Sequence, residues 1–442
     1  MSDDGRAANR PATFRDVFAV REFRSIFGAI ALSWVGDYLA KAAVSALVFY
    51  KTDSAALSAA TFALSYLPWL VGGPVLAALA DRFPYRTVMI TCDLIRMVTI
   101  GAVAIPGAPI EFMLAMLFLT SMANPPAQAA RSALLPAILG RDKLVVGLAL
   151  NSTVSQISQI GGYLVGAAIA PFAPRLAILV DAITFGASAV LIWRGVTRRP
   201  ASGTNERRHL LRETAAGFRL VFGTRVLRAI ALVVFATSLF SIVPEGLAAA
   251  WAGDIAKTSA GQGISQGIIM ISGPVGFVLG SLLTSRLIPA RIREPLIPGF
   301  GVLAALALVP ALTTPGVTWV AVMAAVSGFA TAGLLPTANG LFVQALPNGY
   351  RARAFGVMQT GLQVSQGVGV LVTGYLADIY PLPRVVGVWS LAGVGMMLLL
   401  AAIWPTRNAF RLAATAVVMG AQPDGAPVPA ERQVPHRATA PA

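Results

Sequence analysis

Charge is what this sequence has least of. Only 12% of its 442 residues are Asp, Glu, Lys or Arg, 56% are hydrophobic, and the mean hydropathy is +0.72. A soluble domain carries roughly a quarter charged residues, so this chain lacks the polar surface to meet water on all sides. It is expected to meet lipid over most of its area. Cysteine occurs once, at Cys92, which excludes a disulfide framework or a cysteine zinc cluster within the chain. The two histidines, His209 and His436, lie in polar segments, leaving none inside a span for metal or proton work. Met1 to Arg24 is polar and charged, without the apolar core of a signal peptide. A Gly-x-x-x-x-Gly-Lys-Ser/Thr stretch is missing too, so an ATP-driven pump is not expected from this chain alone.

What the chain has in abundance is long apolar runs. A bilayer span needs about 20 apolar residues in a helix. By that measure spans are expected near 26–50, 57–80, 87–106, 110–130, 144–171 and 175–195, then near 229–252, 263–286, 295–313, 316–340, 354–377 and 384–404. Turn signals such as Pro106-Gly107-Ala108-Pro109 and Pro381-Leu382-Pro383 separate them. The expected organisation is a cytoplasmic segment 1–25, a six-helix bundle 26–195, a cytoplasmic linker 196–228, a second bundle 229–405 and a disordered cytoplasmic tail 406–442. Apolar residues at helical spacing from Leu210 to Arg228 point to a helix along the inner membrane surface.

The formal charge of +15 has a topological reading. With the N-terminus taken as cytoplasmic, inward loops and tails hold 28 Lys and Arg, whereas outward loops hold only Lys51, Arg175, Lys257 and Arg384. Lys41 and Arg96 remain inside spans. Such asymmetry places both termini in the cytoplasm of a multi-pass protein of the cell membrane. Nucleic acid is therefore not an expected partner; the lipid bilayer and a small-molecule substrate are, and the chain is expected to be a monomer.

A repeat crosses the middle. Gln156-Ile157-Ser158-Gln159-Ile160-Gly161-Gly162 matches Gln363-Val364-Ser365-Gln366-Gly367-Val368-Gly369 at an offset of 207 residues. Uncharged polar residues this dense within spans face protein rather than lipid, because desolvating an amide without a partner is costly. Spans five and eleven are thus equivalent helices of two halves. Two parallel six-helix repeats can rock about a site at their interface, exposing it alternately to each side.

The stretch Ala77-Ala78-Leu79-Ala80-Asp81-Arg82-Phe83-Pro84-Tyr85-Arg86 resembles the signature between spans two and three of the major facilitator superfamily, Gly-x-Leu-Ala-Asp-Arg-x-Gly-x-Arg. Ala77 and Pro84 stand where that pattern has glycine; Asp81, Arg82 and Arg86 match. Ser33-Trp34-Val35-Gly36-Asp37, Asp93-Leu94-Ile95-Arg96, Arg131-Ser132-Ala133-Leu134-Leu135-Pro136, Asp181-Ala182-Ile183-Thr184-Phe185 and Val343-Gln344-Ala345-Leu346-Pro347 are similar to its drug, macrolide and siderophore exporter branch. The resemblance implies an all-α membrane protein of twelve transmembrane helices in two pseudo-symmetric six-helix bundles. It also implies a proton-coupled exporter with no cofactor, its energy coming from the proton gradient. Asp81, Arg82 and Arg86 would form the gate, with Asp81 against a helix end or basic residue of the other half in the outward-open state. Span five keeps Gly161, Gly162 and Gly166 but lacks the Gly-Pro that family antiporters often carry there.

Asp37 is the leading coupling candidate, because a charge near the middle of a span costs several kcal/mol unless solvated or paired. Lys41 follows one turn later, where an i,i+4 ion pair is sterically natural. The pair reads either as a proton site facing a cavity or as a structural lock. Asp93 and Arg96 share a helix face and read as a structural ion pair, with coupling as the alternative. Glu245 follows Pro244, where the helix is expected to bend, and it falls either in the cavity or at the outer interface. Asn124, Gln156, Gln159, Asn339, Gln363 and Gln366 line a substrate site or bond helix to helix. Export of small amphipathic compounds leads. The alternatives are an importer of a nutrient or metabolite and, remotely, a non-transporting sensor or scaffold. A membrane enzyme is disfavoured, since the acids are scattered over different helices.

Overall fold

The computed structural model describes residues 13–71, 82–199, 210–347 and 350–418, and among them there are helices and no strand. A short α1 (Phe14–Phe18) precedes α2 (Arg21–Thr52), and α3 (Ala55–Ala63) and α4 (Leu67–Val71) make up the described part of the next span. Then come α5 (Tyr85–Val103), α6 (Ile110–Met122), α7 (Asn124–Ile169) and α8 (Pro174–Gly195). The linker helix α9 (Leu210–Gly223) leads to α10 (Arg225–Ser241), α11 (Val243–Gly246) and α12 (Ala248–Ile255), which together form one interrupted span. The second half is completed by α13 (Ser259–Leu287), α14 (Ala290–Leu306), α15 (Val317–Gln344), α16 (Arg351–Ala377) and α17 (Leu382–Ala402), and α18 (Arg407–Val418) follows. Among the described residues, seven helical stretches are long and apolar enough to cross a bilayer. The helices fall in the order the twelve-span reading requires.

Two boundaries differ from expectation. Span four does not end at 130. The helix breaks at Ala123, restarts on Pro125 and Pro126 at its first turn, and runs to a reversal at Gly140, whose φ of 66° suits glycine. This carries Arg131, one residue past the expected end at 130, into the span. The stretch 407–418, expected within a disordered tail, is instead helical. Phe410 is buried there against the second half, with Trp404 packed beside it at 5.5 Å between ring centroids. Asp81 lies outside the described residues.

The repeat has a physical basis in close packing. A Cβ at Gly162 would meet the Val35 carbonyl, Tyr38 and the Leu39 backbone, so α7 lies directly on α2. Its counterpart Gly369 lies on the Leu239 carbonyl in the same way, bringing α16 onto α10. The 207-residue offset therefore places one kind of contact in both halves. Across the halves the exchange is reciprocal: α7 packs on α13, and α16 packs on α3. Gly276 and Gly280 meet the backbone of Ala325 and Phe329, joining α13 to α15 without intervening side chains.

The apolar clusters say where the halves touch. One unites Ala55, Ala59, Phe62 and Tyr66 with Val243, Trp251, Leu308 and Leu382, and so spans both halves at the end away from the linker. The clusters near the linker end are confined to single halves, Ile26, Leu134 and Ile192 in the first and Leu227, Leu346 and Phe410 in the second. Outward-facing leucines, isoleucines and tryptophans such as Ile183, Trp193, Leu283 and Trp319 remain exposed, as a lipid-facing surface requires. Substituting Gly162→Ala should destabilise the purified protein by about 1–3 kcal/mol, read as a lower thermal midpoint. Gly161→Ala, whose Cβ would meet nothing within 4 Å, should leave that midpoint in place; equal effects would refute this account of the repeat.

Candidate functional site

Most of the charge buried in the first half converges on one cavity of about 310 Å³. Asp37, Tyr38 and Lys41 reach it from α2, Arg96 from α5, Asn124, Gln128 and Arg131 from α7, and Asp181 from α8. Gln359 and Gln363 of α16 close it from the second half. Trp34, Tyr66 and Trp69 add aromatic surface to its wall. The result suits an amphipathic guest: ring faces on one side, fixed charges and amides on another.

The cations are held by rings rather than by direct ion pairs. Lys41 Nζ lies 5.3 Å from the Tyr38 ring centroid, 5.5 Å from that of Phe62 and 5.6 Å from that of Tyr66. The i,i+4 ion pair expected with Asp37 does not form, because the ammonium turns into this aromatic cage; a desolvated cation–π contact is worth about 2 kcal/mol. Arg96 lies over Phe185 at 5.3 Å and Arg131 over Trp34 at 5.3 Å. Nor do Asp93 and Arg96 make the ion pair read from their spacing. Asp93 accepts a hydrogen bond from Ser188 Oγ at 2.6 Å, while the longer Arg96 side chain extends to the cavity. The short acid is claimed by the neighbouring helix before it can reach the guanidinium.

Glu245 is not at the outer interface. Pro244 interrupts the span, and the Glu245 carboxylate accepts from Tyr163 Oη at 2.5 Å and Gln159 Nε2 at 3.3 Å, both on α7 of the other half. It lines a second cavity of about 270 Å³ together with Gln156, Gln159 and Gln366. The sequence candidates therefore divide between two neighbouring spaces. Asp37, Lys41, Arg96, Asn124 and Gln363 face the first, and Glu245 with the remaining three glutamines faces the second. Asn339 belongs to neither; it is exposed on α15. Of the gate residues, Arg82 is exposed, and Arg86 Nη2 donates to the Trp193 carbonyl at 2.5 Å near the end of α8 in its own half.

Two cavity residues and one contact between the halves lie outside the sequence candidates. Arg131 is the only charge between Glu111 and Arg141, and Asp181 the only one between Leu176 and Trp193. Like Asp37, Asp181 is a lone acid within a long apolar run. Gln266 is 1% exposed and donates from Nε2 to the Ala42 carbonyl at 2.9 Å, a bond between halves that no motif signals.

The end away from the linker is fastened by a carboxylate. Asp378, one residue past α16, accepts from Ser54 Oγ at 2.7 Å and from the Ala56 amide at 3.1 Å. It thus caps the N-terminus of α3 from the opposite half, where the unsatisfied amides and the helix dipole favour an anion. Removing it in Asp378→Ala should loosen that end. In a Cys92→Ser background, a cysteine placed at the buried Ala59 should then react faster with a membrane-impermeant thiol reagent. An unchanged labelling rate would show that the contact does not hold the halves together.

The Major Facilitator Superfamily profile matches residues 26–370. The multidrug efflux pump Tap of Mycolicibacterium fortuitum is 24% identical over 344 residues, covering 74% of this chain and 82% of that protein. Among solved structures, the nucleoside transporter NupG superposes with a TM-score of 0.67 at 15% identity, covering 87% of this chain and 100% of that one. A POT family transporter in complex with 5-aminolevulinic acid gives 0.68 at 12% identity, covering 87% and 96%. A bacterial homolog of the human lysosomal transporter Spinster, in an inward-facing and occupied conformation, gives 0.64 at 14%, covering 90% and 97%.

Proposed function

The chain belongs to the major facilitator superfamily, and on that footing we propose that it exports small amphipathic organic compounds in exchange for protons. The observation that carries this reading is Asp37, a carboxylate within a span, on the wall of an aromatic-lined cavity between the two halves. A bare charge there is costly. In this reading Asp37 carries a proton while the cavity is free of substrate and releases it as substrate binds. Substrate and proton thereby occupy the site in turn.

The clusters support a rocking cycle. The halves share an apolar core at one end and none among the described residues at the other. With the linker end cytoplasmic, as the charge asymmetry of 27 to 4 implies once Arg131 is placed inside a span, this is the form that loads substrate from inside. Closing the linker end would require the Asp378 contact to break. One charge crossing 100 mV supplies about 2.3 kcal/mol, enough to concentrate a compound roughly fifty-fold before any pH gradient is added. Export rather than uptake is favoured by the relative named a multidrug efflux pump.

Cells expressing the protein should accumulate less of a fluorescent amphipathic dye than cells without it. A protonophore should abolish the difference, and Asp37→Asn should abolish it with the protein still in the membrane. Equal accumulation across a broad compound panel, with normal membrane levels of the protein, would refute export. Proteoliposomes with an imposed pH gradient would then test uptake, because substrate would move with protons rather than against them.

A further inference from the structure

The first half buries a second acid for which single-carboxylate coupling has no use. Asp181 is 1% exposed and lines the same cavity as Asp37. Its Oδ1 accepts from Thr184 Oγ1 at 3.3 Å, but its Oδ2 is buried with no hydrogen-bond partner among the described residues. Glycine at position 36 permits this placement. A Cβ there would collide with both Thr184 Oγ1 and Asp181 Oδ1, so the carboxylate rests against the backbone of the residue preceding Asp37.

The other charged groups around it make ring or hydroxyl contacts of their own, although Arg96 Nε and Arg131 Nε and Nη1 are themselves buried without a hydrogen-bond partner among the described residues. From α2 comes Lys41, which sits in its aromatic cage. From α5 come Asp93, bonded to Ser188, and Arg96, stacked on Phe185. From α7 comes Arg131, stacked on Trp34. Among the described residues, none of these cations comes within 4 Å of the Asp181 carboxylate. An ionised carboxylate with a donorless buried oxygen is among the costlier arrangements in a protein interior. Two adjacent carboxylates that share one proton avoid that cost, since the protonated member donates to the other.

We propose that Asp37 and Asp181 act as one proton-sharing dyad, with Asp181 the positioning residue that sets the pH at which Asp37 exchanges its proton. The standing proton belongs to the pair, and Asp181 Oδ2, which has no partner among the described residues, is the atom free to carry it and to turn toward the Asp37 carboxylate. Water in the cavity delivers a second proton to Asp37 when substrate has left: the O–H bond forms on Asp37, and hydronium reverts to water. On release the same bond breaks and the proton returns to water on the other side. Gly36 is the structural condition for the dyad, because any side chain there would displace the Asp181 carboxylate and the Thr184 hydroxyl.

The inference rests on the proton-coupled reading of the cavity, and two measurements separate the fates of the two. In proteoliposomes, Asp181→Asn keeps the hydrogen-bond donor and removes the titrating proton. It should still transport, with the midpoint of its pH–rate profile moved by about one unit or more, the scale at which two sites titrate as a pair. A profile superimposable on that of the unsubstituted protein would overturn the dyad while leaving proton-coupled export standing. If Asp181→Asn does not fold, infrared difference spectra on acidification of the unsubstituted protein and of Asp37→Asn decide instead. The carboxylic acid band of the remaining partner should change its titration midpoint when Asp37 is replaced. One band lost with the other unmoved would show independent acids and overturn the proposal. If transport by the unsubstituted protein ignores a protonophore, the export reading fails, and the infrared result still decides whether the dyad exists.

Discussion

Seven ionisable side chains, Asp37, Lys41, Asp93, Arg96, Arg131, Asp181 and Glu245, sit among helices that are otherwise apolar, and most of the architecture answers the cost of keeping them there. Direct ion pairing would be the simplest remedy, yet aromatic rings take up the cations and hydroxyls or amides take up Asp93 and Glu245. The difference matters for a transporter. A short ion pair consumes both charges and locks two helices, whereas a ring stabilises a cation from one face and leaves its field acting on the cavity. The cavity thus stays electrostatically active in a low-dielectric setting.

Small residues set the distances on which this depends. Gly36 brings Asp181 against the start of the Asp37 turn, and Gly162 and Gly166 lay α7 directly on α2. The Gln-Ser-Gln motif is then carried to the plane between the halves, where Gln159 and Tyr163 hold Glu245 and Gln366 faces the same space. Six of the seven ionisable groups belong to the first half. The second half contributes its interrupted span and its amides, so the two bundles share a fold while dividing the chemistry unequally. Their contact is lopsided as well, an apolar core and the Asp378 cap at one end and separate cores at the other.

Helix order, the two-fold repeat and the membrane class were legible because each follows from a property summed over many residues. Twenty apolar positions, a 207-residue offset or a basic bias over all the loops tolerate local error. Boundaries were less so. Arg131 falls one residue past the span expected at 110–130, and only the break at Ala123 and the turn at Gly140 place it within one. That a charge or amide inside a span must face protein or water was legible; that Asp37, Lys41 and Glu245 face cavities, rather than locking helices or lying at the outer interface, is what the structure adds. Their pairings were not. Spacing of three or four residues says which side chains can meet on an isolated helix, but Ser188, Phe185 and the cage around Lys41 come from other turns and other helices. By itself, the sequence determined that the chain is a two-fold helical membrane protein with charge reserved for its interior. Only the tertiary structure decided which charges face one another, because that choice is made between helices far apart in the chain, by packing no local pattern records.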